Sequence, residues 1–294
     1  MRQSQLRAFH FVAKLGGFSR AAEAMFLTQP AISEQVRKLE QAHDVLLFHR
    51  ERKRVRMTEA GMHLFRLTQQ YFEIEQQIED YMQESRAAVE GELRIIADSA
   101  HHVTGILSGF RQRYPGVTVS LRGGNTEDIV EDLRAYNADV GVIGGRAVGG
   151  DMEILDLGES PITAFAARGF LADATRGLTL AECAALPLVM REIGSKTRSK
   201  LDNAAKAQRV ALPPAIIAEG REAVREVVAS GAGIGFVSQA EFGHDARLVQ
   251  IPLRGVDIRM TESLVHLTQR REVKVIRAFM DFASAQAAET TERA

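Results

Sequence analysis

The sequence predicts a chain of three parts: a small N-terminal head of short helices with a β hairpin, one long helix, and an α/β body of two lobes. Three observations support this prediction. Residues 18 to 40, "FSRAAEAMFLTQPAISEQVRKLE", fit two short helices separated only by "FLTQ". No glycine or proline interrupts residues 62 to 88. Beyond residue 91, strand-like and helix-like segments alternate, which is typical of an α/β domain.

Composition places the chain among ordinary globular proteins. Its 294 residues are 45% hydrophobic and 26% charged, enough for two or three domains with buried cores. The single cysteine, Cys183, cannot form a disulfide within the chain, and no apolar run reaches the roughly 18 residues that span a bilayer. We therefore expect a soluble cytoplasmic protein with no membrane partner.

Charge is distributed unevenly along the chain. Residues 1 to 58 contain 11 Lys/Arg and 5 Asp/Glu, a net charge of +6, whereas the other 236 residues contain 26 and 33, a net charge of −7. A basic head on an acidic body favours a polyanion as the partner of the head. The alternative is ordinary variation in surface charge.

The third predicted helix has one apolar and one polar face. Ile32, Val36 and Leu39 recur at spacings of four and three, which predicts a buried stripe. Thr28 is a suitable N-cap, and Pro30 falls in the first turn, where its missing N–H costs nothing. The opposite face carries side chains that bind base edges or phosphates when a helix enters a major groove. The predicted DNA contacts of this helix are Gln29, Pro30, Ser33, Glu34, Gln35, Arg37 and Lys38.

A basic hairpin is predicted after these helices. Residues alternate from Phe48 through Val55 to Met57, which is consistent with two short strands. A solvated charged loop is the ordinary interpretation of an isolated basic cluster, but the preceding helix pair favours a wing on the DNA backbone. Such contacts supply affinity and orientation but little sequence discrimination. The predicted wing contacts are Arg50, Arg52, Lys53 and Arg54.

The N-terminal residues resemble the DNA-binding domain of the LysR-type transcriptional regulators. The matching stretches are "LRAFHFVAKLGGFSRAAEAMFLTQPAISEQVRKLE", "LLFHR", Lys53 and "VRMTEAG". The resemblance implies a winged helix-turn-helix over residues 1–58, a dimerising linker helix over 59–90, and a periplasmic-binding-protein-like effector domain over 91–294. Two positions depart from the pattern: Glu34 stands where many members have a neutral or basic residue, and Asp44 where glycine is common.

The long helix carries an apolar seam. Its members are spaced 3, 4, 3, 4 and 3 residues apart, which is a heptad pattern sustained for about two and a half repeats. Packing on its own domain is the alternative, but the acidic residues on the other faces favour a dimer. The predicted dimer contacts are Leu64, Leu67, Tyr71, Ile74, Ile78 and Tyr81.

The body is predicted to form two lobes with a cleft between them. "LRIIAD", "VTVSLRG" and "ADVGVIGG" alternate with two helices in the βαβαβ order of a parallel sheet. A middle section again alternates strand-like and helix-like segments. The C-terminal helix is expected to return to the first lobe. We therefore assign lobe 1 to about residues 91–161 and 265–294, and lobe 2 to about 162–264.

Small-molecule ligands of such sheets bind at the carboxyl ends of strands, beside helix N-termini. "DSAHH", "GGNTED" and "GSKTRS" follow predicted strands in this way, although each hydroxyl or amide taken alone is better explained as a helix cap. Their shared position, and the family resemblance, favour an effector site. Because Lys196 and Arg198 add positive charge, we expect a small anion. The predicted effector contacts are Ser99, Asn125, Thr126, Ser195, Lys196, Thr197, Arg198 and Glu222.

Two stretches of the body resemble one subgroup of the family. "IADSAHHVTGILSGFRQRYPGV" and "GGNTEDIVEDL" look similar to LysR-type regulators associated with aminoethylphosphonate breakdown. That resemblance implies a phosphonate effector. A donor-rich cleft with a basic end suits a carboxylate, sulfate or phosphate equally well.

Sequence patterns give no case for catalysis or a cofactor. "GAGIGF" lacks the dinucleotide-loop spacing, and "GSKT" lacks the rest of a phosphate-binding loop. Adjacent side chains such as His101 and His102 usually diverge, and no other ligand follows at metal-binding spacing. We expect a ligand-responsive transcription factor that binds a double-stranded DNA operator as a homodimer or homotetramer and contacts RNA polymerase. An architectural DNA-binding protein would leave the body without a role, and a solute-binding protein would leave the head without one.

Overall fold

The computed structural model describes residues 1–51, 54–82, 89–145 and 149–293; it leaves out the side chains of residues 50, 51, 54, 80, 81 and 289–293. The chain divides into two compact units, Met1–Ala87 and Ala88–Ala294. We call them the N-terminal unit and the C-terminal unit. Each has its own hydrophobic core.

The N-terminal unit has the predicted order of helices followed by a hairpin and a long helix. Its described elements are α1 (Gln3–Leu15), α2 (Phe18–Ala24), α3 (Gln29–His43), β1 (Phe48–Glu51), β2 (Arg54–Met57) and α4 (Glu59–Met82). Gly16 adopts a left-handed conformation at φ 66° and ends α1, a conformation that glycine accommodates without strain. The hydroxyl of Thr28 accepts the N–H of Ala31 and begins α3 with Pro30 in its first turn.

The core of the N-terminal unit confirms the apolar stripe of α3. Ile32, Val36 and Leu39 are all buried against α1 and α2. The buried carboxylate of Glu40 accepts the N–H groups of Leu47 and Phe48, which fixes the end of α3 to the start of the hairpin. β1 and β2 pair antiparallel, as their alternation predicts.

The C-terminal unit alternates strands and helices. Its described elements are β3 (Gly91–Ala97), α5 (His101–Arg113), β4 (Val117–Gly123), α6 (Thr126–Arg134), β5 (Val140–Gly144), β6 (Met152–Ala167), α7 (Leu180–Ala184), β7 (Val189–Arg191), α8 (Lys196–Ala207), β8 (Ile216–Ala218), α9 (Arg221–Ala229), β9 (Ile234–Ser238), α10 (Gln239–Phe242), β10 (Leu248–Ile251), β11 (Arg259–Leu267) and α11 (Lys274–Arg293). β3 lies parallel to both β4 and β5, which confirms the predicted βαβαβ arrangement.

Two antiparallel strands run between the lobes. The first part of β6 pairs with β11, and its last residues pair with β9 and β10. β11 in turn pairs with β5, and its register with β6 shifts between Glu262 and Ser263. β6 and β11 therefore belong to both halves of the two-lobed fold. The described part of the chain contains no helix long and apolar enough to cross a membrane.

Each lobe packs helices against its own strands. In the first lobe Phe110 of α5 and Phe279 of α11 meet edge to face on the sheet, with ring centroids 5.1 Å apart. In the second lobe Leu201 of α8 and Met260 belong to one buried cluster around β9. The carboxyl ends of β3, β5 and β7 consequently lie near the helices that follow them, where the candidate site is found.

Candidate DNA interface and effector groove

The exposed surface of α3 contains an internal ion pair. Arg37 donates to Glu34 through Nε, at 2.8 Å from Oε2, and through Nη2, at 2.7 Å from Oε1. Lys38 Nζ lies 3.5 Å from the same carboxylate. The hydrogen bonds from Arg37 lower the pKa of Glu34. Glu34 therefore pairs with both predicted cationic contacts of this helix.

The other predicted contacts of α3 also lie at its surface. Gln29 and Pro30 are exposed in the first turn, and Ser33 and Gln35 are half-buried. In the hairpin, Arg52 and Lys53 lie outside the described residues. For Arg50 and Arg54 the structure describes only the backbone, in β1 and β2. The polar face of α3 is thus available for a ligand in the N-terminal unit.

α4 carries an exposed apolar stripe. Leu67, Tyr71, Ile74 and Ile78 are between 44% and 59% exposed, which is unusual for such side chains at helical spacing. Leu64 differs, because it packs against the core of the N-terminal unit. The side chain of Tyr81 lies outside the described residues. Four of the six predicted dimer contacts therefore lie on one uncovered surface of the N-terminal unit.

A groove of about 780 Å³ lies between α6 and α8; we call it the α6–α8 groove. The starts of the two helices meet there, because Gly194 approaches Asn125 so closely that an added Cβ would lie 3.0 Å from Oδ1. Four of the predicted effector contacts line it. They are Thr126, Ser195, Lys196 and Arg198.

Two hydroxyl groups in this groove are buried without a hydrogen-bond partner among the described residues. They are Thr126 Oγ1 and Ser195 Oγ, on residues that begin α6 and α8. Asn125 behaves differently, since its Oδ1 caps α6 by accepting the N–H groups of Glu127 and Asp128. Ser195 occupies the cap position of α8 but makes no such bond. Capping therefore explains Asn125 but gives neither buried hydroxyl a partner.

The charges along the groove are mixed. Arg198 donates to the carbonyl of Arg191 and lies 3.6 Å from Asp202, and Arg134 is paired with Asp151. Lys196 has no ion-pair partner among the described residues. The groove is also lined by Glu127, Glu131 and Asp202. The feature that favours an anion is Lys196 beside the uncapped start of α8.

Three predicted effector contacts lie away from the groove. Ser99 is buried between β3 and α5, where its Oγ accepts the N–H of His101 at 3.3 Å. Thr197 is buried in the first turn of α8, and Glu222 is exposed beside Arg221. The groove is therefore lined by four of the eight predicted effector contacts.

A buried ionic network joins the ends of β3 and β7. Arg191 Nη2 donates to Asp98 at 2.8 Å and to Glu192 at 2.9 Å, and Glu192 also accepts the N–H of Gly220. Burial raises the pKa of Asp98 although Arg191 opposes the change. Sequence reasoning missed this network, because its members lie in separate strands.

A second buried cluster comprises His102, Glu241 and Glu262, which we call the His–Glu–Glu cluster. His102 Nε2 lies 3.2 Å from Glu241 Oε1 and 3.6 Å from Glu262 Oε1. Burial, followed by the charges of Glu241 and Asp98, raises the pKa of Glu262 to about 9. The sequence offered His102 but no ligand nearby, because the two glutamates come from α10 and β11, about 140 and 160 residues away.

Comparison with known proteins identifies the family. Residues 3–62 match the bacterial regulatory helix-turn-helix family of LysR type, and residues 86–288 match the LysR substrate binding domain. The chain belongs to the LysR family of bacterial transcriptional regulators. The predicted family and its winged helix-turn-helix head are thereby confirmed.

Curated relatives match along nearly the whole chain. The transcriptional activator CmpR of Synechocystis is 27% identical over 95% of this chain and 93% of its own length. A RuBisCO operon transcriptional regulator of Allochromatium vinosum is 29% identical, over 97% and 96% respectively. These relatives are transcriptional regulators, in agreement with the prediction of a regulator rather than an enzyme.

Solved structures share the fold. A full-length OxyR variant from Pseudomonas aeruginosa has a TM-score of 0.76 at 20% identity, covering 96% of this chain and 94% of that one. CbnR in complex with its target DNA has a TM-score of 0.68 at 20% identity, covering 98% and 100%. This LysR-type regulator accordingly has a DNA-binding domain and an effector-binding domain, and such regulators act on operators as oligomers.

Proposed function

We propose that this regulator is switched by a small anion bound in the α6–α8 groove. The observation that supports the proposal is the pair of buried hydroxyls, Thr126 Oγ1 and Ser195 Oγ, which have no protein partner among the described residues. Leaving a buried hydroxyl without a partner costs about 1–3 kcal/mol, and a bound anion recovers that cost. Lys196 and the N–H groups that begin α8, where no side chain caps the helix, complete the set of donors.

Among anions, a phosphonate such as aminoethylphosphonate is the proposed effector. A phosphonate has three oxygens, which can accept hydrogen bonds from both hydroxyls and from Lys196 at once. A helix terminus alone would bind an anion with fewer acceptor oxygens. The similarity of the "IADSAHH" and "GGNTED" stretches to regulators of aminoethylphosphonate breakdown is the second support. Carboxylate, sulfate and phosphate remain the alternatives, since they present similar oxygens.

Isothermal titration calorimetry with aminoethylphosphonate, phosphate, sulfate and a dicarboxylate tests this proposal. Ser195→Ala and Thr126→Val should each weaken the binding of the preferred anion about tenfold, and Ser108→Ala on the exposed face of α5 should not. No heat from any anion, or equal heats in all variants, would remove the groove as the effector site. A dicarboxylate that binds while aminoethylphosphonate does not would reject only the phosphonate.

On the DNA side, we propose that α3 reads the operator while the hairpin contacts the phosphate backbone. The surface positions of Gln29 and Lys38 support this assignment. Gln29→Ala should then relax the choice of base at particular positions, and Arg50→Ala should weaken all sequences and reduce the salt dependence. Equal losses on operator and random DNA for both variants would contradict the assignment.

For assembly, we propose that the stripe of Leu67, Tyr71, Ile74 and Ile78 pairs with the same stripe of a second chain. We also propose the domain limits: residues 1–58 bind DNA, 59–90 dimerise and 91–294 bind the effector. Within the effector-binding domain we propose 91–161 with 265–294 as lobe 1 and 162–264 as lobe 2.

For switching, we propose that the anion binds two arrangements of the lobes unequally. Its binding then changes the spacing of dimers on DNA and their contact with RNA polymerase. A footprint that stays unchanged at saturating anion would contradict this coupling.

A further inference from the structure

We propose that the His–Glu–Glu cluster binds a divalent transition-metal ion of the Zn²⁺ type. His102 lies in the first turn of α5, Glu241 in α10 and Glu262 in β11, so three separate elements each supply one ligand atom. One imidazole nitrogen and two carboxylates form a common set for such an ion, with further positions open to water. This site is separate from the α6–α8 groove and does not depend on the anion proposed above.

One distance within the cluster matches an edge of a coordination polyhedron, and the other separations are somewhat longer. Ligands about 2.1 Å from an ion, at angles between about 90° and 109°, lie about 3.0–3.4 Å from one another. His102 Nε2 is 3.2 Å from Glu241 Oε1 and 3.6 Å from Glu262 Oε1. All three ligand atoms lie within 4.8 Å of one another. Small adjustments of two glutamate side chains are enough to bring every ligand to bonding distance.

The same distances argue against an ammonium group as the occupant. An ammonium that donates hydrogen bonds of about 2.8 Å in tetrahedral directions separates its acceptors by about 4.6 Å. The separations of His102 from both carboxylates are shorter by about 1 Å or more. The spacing around His102 therefore suits a compact ion better than an amine.

His102 provides an observation that does not rest on the acidic residues. Its Nε2 is buried 3.2 Å from Glu241 Oε1 and 3.6 Å from Glu262 Oε1, and neither contact meets both the distance and the angle of a hydrogen bond. The imidazole is only 10% exposed, so water does not compensate it freely. A nitrogen held between two carboxylate oxygens without bonding to either is placed as a metal ligand would be.

The surroundings of the cluster suit a dication. The two carboxylates supply up to two negative charges, and Asp98 adds to the negative field around Glu262. Arg221, which donates to the carbonyl of Glu241, and Lys200 offset part of that field.

The location of the cluster gives the ion a structural consequence. α5 belongs to the first lobe and α10 follows β9 of the second, while Glu262 lies where the register of β11 shifts against β6. An ion bound by all three residues links both lobes at the strands they share. Metal binding should therefore raise the unfolding free energy of the C-terminal unit.

Cobalt titration of the full-length protein, after dialysis against a chelator, tests the proposal. Co²⁺ reports coordination by a histidine and carboxylates through its visible absorption, and Zn²⁺ should displace it. We expect one ion per chain in the wild type and in His101→Gln, the matched control at the neighbouring histidine. His102→Gln and Glu262→Gln should raise the Kd for Co²⁺ at least about tenfold. The melting temperature should rise with Co²⁺ in the first two proteins only.

Several outcomes would overturn the metal assignment. One is the absence of Co²⁺, Zn²⁺ and Mn²⁺ binding at micromolar concentrations in the wild type. Another is an equal Kd in all four proteins, which would place any bound ion elsewhere. Heat from methylamine that depends on Glu262, with no Co²⁺ absorption, would make the cluster an ammonium site. If one ligand variant does not fold, the other variant and the Co²⁺-dependent melting temperature of the wild type still test whether the cluster binds a metal ion.

Discussion

Arg191 Nη2 lies 2.8 Å from Asp98 Oδ1, in a buried ion pair that joins β7 of the second lobe to the end of β3 in the first. Arg191 also holds Glu192 through two hydrogen bonds. Both side chains of the interlobe pair are about nine-tenths buried. One guanidinium thus compensates two carboxylates that burial would otherwise make costly.

Replacing Arg191 by Leu should therefore destabilise the C-terminal unit strongly. The change leaves Asp98 and Glu192 buried without their cation, and losses of about 3–5 kcal/mol are typical of a broken buried pair. Urea unfolding followed by circular dichroism measures the change. Arg259→Leu serves as the control, because its pair with Glu159 is exposed and contributes less than about 1 kcal/mol. Similar losses in both variants would mean that the network does not hold the lobes.

Glu34→Gln should tighten binding to random DNA. The substitution removes a negative charge from α3, the helix proposed to read the operator, and frees Arg37 from its bidentate pair. We expect about two- to fivefold tighter binding at low salt and a steeper salt dependence, by roughly one phosphate contact. Fluorescence anisotropy across a salt series provides the measurement.

Two controls separate this local effect from net charge. Glu92→Gln makes the same charge change in the C-terminal unit and should leave DNA affinity nearly unaltered. In an Arg37→Ala background the effect of Glu34→Gln should shrink, because no guanidinium remains to be released. An undiminished effect in that background would show that Glu34 does not act through Arg37.

The pattern of the sequence predicts the elements and much of their packing. Ile32, Val36 and Leu39 are spaced as only a buried helical face requires, and all three are buried. The alternation around Phe48 and Met57 likewise predicts the hairpin. Local periodicity reports which face of an element is covered, and that information lies within one turn or one strand.

The side-chain clusters of the C-terminal unit could not be predicted in the same way. Asp98 and Arg191 are 93 residues apart, and His102 meets Glu241 and Glu262 only once β6 and β11 have paired. The hydroxyls of Thr126 and Ser195 illustrate the same limit, because as helix-start residues both look like ordinary caps. Only the tertiary structure distinguishes them from Asn125, which does cap its helix.

The N-terminal unit should lose stability as the pH falls below about 6.5. His10 is buried between Phe65 and Phe72 and bonds Thr68, and burial, with a smaller contribution from Lys14, lowers its pKa to about 4. The unfolded chain takes up a proton near pH 6.5, whereas the folded unit does so only near 4. The unfolding free energy therefore decreases between these values, by up to about 3 kcal/mol.

Calorimetric unfolding of wild type and His10→Phe at pH 7.5 and 5.0 isolates this group. The wild type should lose more stability than the variant on acidification, because the phenyl ring cannot be protonated. His43→Gln, at the exposed end of α3, should follow the wild type. Parallel losses in wild type and His10→Phe would assign the pH dependence to other residues.

Two glycines of α5 should respond oppositely to alanine. An added Cβ at Gly105 meets nothing within 4 Å, whereas at Gly109 it would lie 2.7 Å from the ring of Phe282. Gly105→Ala should stabilise the C-terminal unit by about 0.5–1 kcal/mol, because alanine favours the helix and loses less backbone entropy. Gly109→Ala gains the same helix propensity but must displace Phe282 from α5, so we expect a net loss of about 1–2 kcal/mol.

Melting temperatures of the two variants provide the measurement. Repeating Gly109→Ala in a Phe282→Leu background, which removes the ring that the new methyl group would meet, should reduce the loss. If Gly109→Ala were as stabilising as Gly105→Ala in the wild-type background, α11 would not pack against α5 through Phe282.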